Sequence, residues 1–165
     1  MPGLDVKVIL QDIKKLETDA LIVGFYQDVR PLKGLAGELD WLLCGSLSHL
    51  ILNNKLSGSL GEVGLLASRG KVPAMKIFMV GLGPKGGSSP SSLRNAARIA
   101  ASSAVGAGVT NMAVEYFYSP DEPYDAVVTA LLDGLSEGAR GIPLMVSLLA
   151  PDAAAYERIS RLVKA

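Results

Sequence analysis

The residues best suited to chemistry in this chain form one glycine-rich segment, Gly81 to Gly87, which directly follows a predicted strand. A predicted helix start at Ser88, Ser89 and Pro90 comes next. Glycine reaches positive φ angles and has no side chain, so such a segment either makes a tight strand-to-helix turn or brings backbone N–H groups against a phosphate. The predicted ligand-binding residues are Gly24, Gly81, Gly83, Lys85, Gly86, Gly87 and Ser88.

Two known glycine motifs fit this segment poorly. Gly81, Gly83 and Gly86 match the spacing of the dinucleotide-binding fingerprint, but the last glycine precedes the predicted helix instead of packing inside it. Glu115, the acidic residue at the end of the next strand, lies beyond the roughly 20 residues that the fingerprint requires. Gly87 stands where the phosphate loop of nucleotide hydrolases needs its lysine. A simple turn is the favoured interpretation, and an anion site made of N–H groups and Lys85 is the alternative.

The other reactive side chains do not form a recognisable constellation. His49 is the only histidine, and we expect it to face solvent or to make a single hydrogen bond. Cys44 lies next to Leu43 in the same predicted helix, which favours a buried, inert thiol. For Trp41 core packing is the favoured interpretation, and an anchor for a partner surface is the alternative. The carboxylates lack metal-ligand spacing, so we predict no catalytic residue, no metal and no cofactor.

The length and composition of the chain predict one globular domain covering residues 1–165. Hydrophobic residues make up 49% of the chain, which suits a buried sheet. The 16 basic and 16 acidic residues cancel, so we expect neither nucleic-acid nor membrane binding. The single cysteine allows no internal disulfide, and from the composition of the first residues we expect no signal peptide. A cytoplasmic location is therefore expected.

Strand and helix patterns alternate along the chain. Strands are predicted over 6–10, 20–26, 62–67, 75–80, 111–117 and 143–149, and helices over 35–51, 93–105, 123–135 and 151–163. Arg69 to Lys71 is predicted to be a hairpin turn between two of the strands. Strand–helix alternation of this kind predicts a three-layer α/β/α sandwich with a mixed, mostly parallel six-stranded sheet.

Three segments, taken in order, carry a family resemblance. They are TDALIVG at 18–24, SGSLGE at 57–62 and KIFMVGLG at 76–83. Their spacing, the long helix between the first two and the Arg/Ala-rich helix after the third resemble the N-terminal domain of the leucyl (cytosol) aminopeptidases. The resemblance covers residues 5 to 150. It implies a macro-domain-like fold, which elsewhere binds ADP-ribose. In that family the metals and the peptidase residues belong to a C-terminal domain, so no catalytic residue is transferred to this chain.

Three functions remain open at this point. The first is a non-catalytic interaction, assembly or regulatory module, partnered by a second copy or by a separate peptidase. The second is a small-molecule site for a nucleotide or an ADP-ribose-like ligand at the Gly81–Ser89 loop. Its candidate polar contacts are Asp19, Asp28, Lys85 and Arg94. The loop at 24–30 lacks the asparagines usual in macro domains that bind ADP-ribose. The third is a small enzyme acting on an ADP-ribose-like ester.

Overall fold

The computed structural model describes residues 3–119 and 121–164. Six strands and five helices lie within these ranges. The strands are β1 (Leu4–Leu10), β2 (Thr18–Phe25), β3 (Val63–Ala67), β4 (Ala74–Gly81), β5 (Asn111–Glu115) and β6 (Leu144–Ala150). The helices are α1 (Gly34–Leu42), α2 (Ser46–Leu52), α3 (Pro90–Gly106), α4 (Tyr124–Ala139) and α5 (Ala153–Lys164). The predicted strands are confirmed, and no strand end differs from its predicted position by more than two residues.

All six strands form one sheet in the order β1-β6-β5-β2-β4-β3. Every neighbouring pair is parallel except β3 and β4, which form the antiparallel pair expected from the hairpin turn. Arg69 and Gly70 make that turn with φ angles of 53° and 75°. The predicted mixed, mostly parallel sheet is confirmed.

Helices cover both faces of the sheet, and each face has its own core. Successive strand residues point to opposite faces, so Ile22 of β2 belongs to one core and Leu21 and Val23 to the other. The helices α3, α4 and α5 cover the first face, and α1 and α2 cover the second. This is the three-layer α/β/α arrangement that the alternation predicts.

The helix predicted over 35–51 is two helices, and this part of the prediction was wrong. Cys44 and Gly45 adopt left-handed backbone angles, with φ of 57° and 83°, and the chain bends by 104° between α1 and α2. Asp40 stabilises the new direction by accepting a hydrogen bond from the Ser48 N–H at 3.0 Å. By themselves, none of the described helices is long and apolar enough to cross a membrane.

The bend also overturns two predictions about side chains. Trp41 is not packed in the core, because 82% of its surface is exposed. Cys44 is not buried either, because it lies in the exposed turn. His49 is exposed and contacts the side chain of Asn53 at 3.0 Å, as expected. The predicted start of α3 is confirmed: Ser89 caps the helix, its hydroxyl accepting the Ser92 N–H, and Pro90 follows.

Candidate functional site

The carboxyl ends of β2, β4 and β5 meet at the middle of one sheet edge. The helix after β2 lies on one face, whereas the helices after β4 and β5 lie on the other. Connections that diverge in this way open a crevice at the strand ends, where parallel α/β folds bind their ligands. The topology therefore marks this edge as the first place to look for a site.

A pocket of about 240 Å³ occupies the crevice. We call it the edge pocket, and it is lined by Gly24, Phe25, Tyr26, Val29, Leu32, Lys33, Gly34, Leu82, Lys85, Glu115, Phe117 and Tyr118. Most of its wall is apolar. A concave, largely apolar pocket with a few polar groups is the usual form of a small-molecule site.

Glu115 is the half-buried acidic group on the wall of the edge pocket. Burial raises the pKa of this carboxyl to about 8, and hydrogen bonds from the backbone N–H groups of Gly24 and Leu35 oppose the rise. The Gly24 N–H lies 3.0 Å from Oε1. Leu35 is in the first turn of α1, so the carboxyl ties the end of β5 to β2 and to α1. The pocket thus contains a fixed acid that holds its proton at neutral pH.

Tyr26 connects the loops that follow β2, β4 and β5. Its hydroxyl donates to the Tyr118 carbonyl at 2.5 Å and lies 3.2 Å from the Ser88 hydroxyl. Ser88 in turn donates to the Ser119 hydroxyl at 2.9 Å. Burial raises the pKa of Tyr26, so its hydroxyl stays protonated and able to donate.

The glycine-rich loop points most of its N–H groups into the protein. Hydrogen bonds run from Gly81 to the Glu62 carbonyl at 2.8 Å, from Leu82 to Phe25 at 2.9 Å, and from Gly83 to Gly58 at 2.9 Å. Lys85, Gly87, Ser88 and Ser89 also donate internally. A phosphate cradle needs unused N–H groups, so this conformation supports the turn interpretation.

Close packing accounts for two of the glycines in that loop. A Cβ atom on Gly81 would lie 1.9 Å from the Ser59 carbonyl oxygen. Gly83 has a φ of 75°, and a Cβ there would lie 3.2 Å from Leu60. Both residues therefore let β4 and its following turn lie against the loop at 57–61.

The predicted site residues are only partly brought together. Gly24 and Lys85 line the edge pocket, whereas Gly81, Gly83, Gly86, Gly87 and Ser88 do not. Gly86 and Gly87 lie exposed in a 3₁₀ turn. Asp28 is close, since its carboxylate accepts the Lys85 N–H at 2.9 Å.

Two further polar candidates lie away from the pocket. Asp19 is at the amino end of β2, the opposite end of that strand from Gly24. Arg94 is on α3, where its guanidinium pairs with Glu137. Neither side chain lines the edge pocket.

From the sequence, Glu115 was considered only as the acidic residue of a dinucleotide-binding fingerprint, for which it lies too far along the chain. The usable signal was an acidic residue at the end of an apolar strand, because the carboxyl ends of parallel strands converge on one edge. Among the described residues no group of histidine, cysteine, aspartate or glutamate could hold a metal ion.

Comparison with known proteins identifies related sequences and folds. A family model described as the cytosol aminopeptidase family, N-terminal domain, matches residues 22–140. A probable cytosol aminopeptidase of Geobacter sulfurreducens is 32% identical over 134 residues, which cover 81% of this chain and 27% of that protein. The chain thus spans about a quarter of the length of this relative.

Solved structures share the fold at low sequence identity. A mutant of tomato leucine aminopeptidase superimposes with a TM-score of 0.72 and 21% identity, covering 97% of this chain and 35% of that one. The Oceanobacillus iheyensis macrodomain with ADP superimposes with a TM-score of 0.75 and 14% identity, covering 96% and 90%. The macro-domain-like fold expected from the resemblance is confirmed. By the family match, the chain belongs to the cytosol aminopeptidase family and corresponds to its N-terminal domain.

Proposed function

We propose that this chain is a non-catalytic interaction module that assembles through the exposed surface around Trp41. The observation that carries the proposal is the 82% exposure of this tryptophan on α1. Tryptophan is enriched among the residues that dominate binding energy at protein interfaces. A large indole left in water has no role in the core, so its position favours a contact with another protein.

The neighbouring residues form an apolar surface that also carries one negative and one positive side chain. Pro31, Leu32, Trp41 and Leu42 line a shallow groove, and Asp40 and Lys71 add opposite charges to it. We call this groove the Trp41 surface. A second copy of the chain is the partner that fits it. In a two-fold dimer through this groove we expect Lys71 of each copy to face Asp40 of the other, and the zero net charge removes general repulsion.

Sedimentation velocity over a range of protein concentrations tests this proposal. We expect the wild type to dimerise, and Trp41→Ser to weaken dimerisation at least about tenfold by removing the anchor. Because Trp41 is exposed, the melting temperature should change little. Tyr156→Ser is the matched control, since this partly exposed aromatic lies on α5 and on the opposite face of the sheet.

Two outcomes would overturn the assembly proposal. One is a wild type that does not dimerise at any concentration. This outcome would overturn the proposal even if the chain formed a complex with a separately produced peptidase domain. The other is a dimer that both variants weaken equally, which would locate the interface elsewhere.

Small-molecule binding in the edge pocket is the second candidate function, favoured by the pocket's place at the strand ends. The resemblance suggests a nucleotide, and a macrodomain of the same fold is known with ADP. Thermal-shift titration with ADP tests this ligand, with Lys85→Met as the variant and Lys55→Met as the control. A dose-dependent rise in melting temperature that only Lys85→Met reduces would support nucleotide binding. The absence of any rise at millimolar ADP would reject binding of this nucleotide.

A further inference from the structure

We propose that the edge pocket binds a free amino acid with an apolar side chain, its ammonium group at Glu115 and its carboxylate at Lys33 and Lys85. This inference rests on the second candidate function and names its ligand class. Three properties of the pocket carry it: size, charge pattern and apolar wall.

The size of the pocket favours a small ligand. Its volume of about 240 Å³ lies below the roughly 300–1,000 Å³ of pockets that enclose drug-sized molecules. A nucleoside diphosphate would have to extend far outside it. A molecule of amino-acid size can be largely enclosed.

The acidic wall favours an ammonium group over a phosphate. Glu115 is held in place by the N–H groups of Gly24 and Leu35, with the Gly24 contact at 3.0 Å. An anion next to this carboxyl would be repelled whenever the acid ionised. A cation would favour the ionised form and gain a charge-assisted hydrogen bond. Because burial raises the pKa of Glu115 to about 8, binding an ammonium group at neutral pH should release a proton.

The charged groups at the opening are positive. Lys33 and Lys85 are exposed and line the pocket, and in the described ranges neither ammonium group forms an ion pair. The other titratable groups on the wall are the phenols of Tyr26 and Tyr118. An acid inside, which ionises when an ammonium group binds beside it, and positive groups at the rim match a zwitterion.

The apolar side chains of the wall select the side chain of the ligand. They are those of Phe25, Val29, Leu32, Leu82 and Phe117. Phe25, Leu82 and Phe117 are buried, so the wall is fixed by the core of the domain. Burial of an aliphatic side chain against such a wall is favourable in proportion to the apolar area removed from water. L-Leucine is therefore the probe.

Isothermal titration calorimetry of the full chain tests the inference with four ligands. They are L-leucine, isoamylamine without the carboxylate, isocaproate without the amino group, and ADP. We expect leucine to bind with a Kd on the order of 0.1 mM and each truncated analogue at least about tenfold more weakly. Buffers of different ionisation enthalpy should reveal the release of close to one proton per leucine.

Matched variants assign each end of the ligand. Glu115→Gln should weaken leucine at least about tenfold and abolish proton release, while leaving isocaproate unchanged. The double variant Lys33→Met, Lys85→Met should weaken leucine but not isoamylamine. Glu38→Gln, an exposed position on α1, is the control and should change neither. The melting temperature of each variant confirms that it is folded.

The outcomes separate this inference from the function on which it rests. Binding of ADP without leucine would overturn the amino-acid ligand and leave small-molecule binding in place. Binding of no ligand would reject both. Leucine binding that is unchanged in Glu115→Gln would also overturn the inference, because the ligand would then lie elsewhere.

Discussion

Two glycines of α4 allow this helix to lie very close to α3. A Cβ atom at Gly134 would lie 2.3 Å from the Arg94 carbonyl oxygen, and one at Gly138 would lie 2.2 Å from that of Arg98. Real Cβ atoms do not approach backbone this closely, so α3 and α4 pack with their backbones almost touching. The alanine stripe of α3 is buried on this side, with Ala97 and Ala101 directly opposite the two glycines.

Substitution at Gly138 tests this contact. Gly138→Ala should lower the free energy of unfolding by about 1–3 kcal/mol, because the added methyl group forces the helices apart. This is the net change, because the clash is with backbone atoms and exceeds the gain of about 1 kcal/mol that alanine usually brings to a helix. Urea denaturation measures the difference.

Gly106→Ala is the control for this substitution. Gly106 ends α3, and no atom lies within 4 Å of the position that its Cβ would take. This variant should be as stable as the wild type or more stable by about 0.5–1 kcal/mol. Equal stability of Gly106→Ala and Gly138→Ala would contradict close packing of α3 on α4.

At the scale of elements, the strands and their order of appearance could be predicted because burial sets their composition. β2 reads as an uninterrupted apolar run, and its residues Ala20 to Val23 are fully buried between two helical layers. The start of α3 could also be predicted, since Ser89 and Pro90 are local signals that act within one turn.

The break between α1 and α2 could not be predicted from apolar spacing. Leu39, Leu43 and Leu47 recur at helical intervals, and all three are buried against the same core. The pattern is satisfied equally by one long helix and by two short ones. The turn depends on Asp40 accepting from Ser48, a contact across eight residues that has no sequence signature. For the same reason, the prediction that Trp41 and Cys44 are buried was wrong.

The candidate site depends on tertiary contacts more than the strands do. Glu115 meets Gly24 across 91 residues, and the pairing requires β2 and β5 to be neighbours. Strand order follows from crossover connections that no single segment encodes. The glycine-rich loop was visible in the sequence, but its N–H partners at Gly58 and Glu62 were not.

At the scale of the molecule, α1 connects the two surfaces to which functions are assigned. Its first turn hydrogen-bonds Glu115, and its last turn carries Trp41. Leu32, just before the helix, lines both the edge pocket and the Trp41 surface. Any movement of α1 on ligand binding would therefore reach the proposed interface.

The titration of Glu115 should govern the pH dependence of the stability of the whole domain. Its pKa is raised from 4.5 to about 8 on folding, so between these values the folded state holds a proton that the unfolded state has lost. Stability from this group is therefore fully present below pH 4.5 and falls as pH rises to about 8, by up to about 1.4 kcal/mol per pH unit.

Comparison with Glu115→Gln isolates this effect, because glutamine does not titrate and keeps an oxygen acceptor for the Gly24 N–H. Urea denaturation of both proteins at a series of pH values gives their free energies of unfolding. We expect the wild type to lose stability relative to the variant as pH rises through this window, and the exposed variant Glu38→Gln to follow the wild type. Parallel curves for the wild type and Glu115→Gln would show that the carboxyl ionises freely in the fold. The fixed acid in the edge pocket, and the proton released on binding an ammonium group, would then both be excluded.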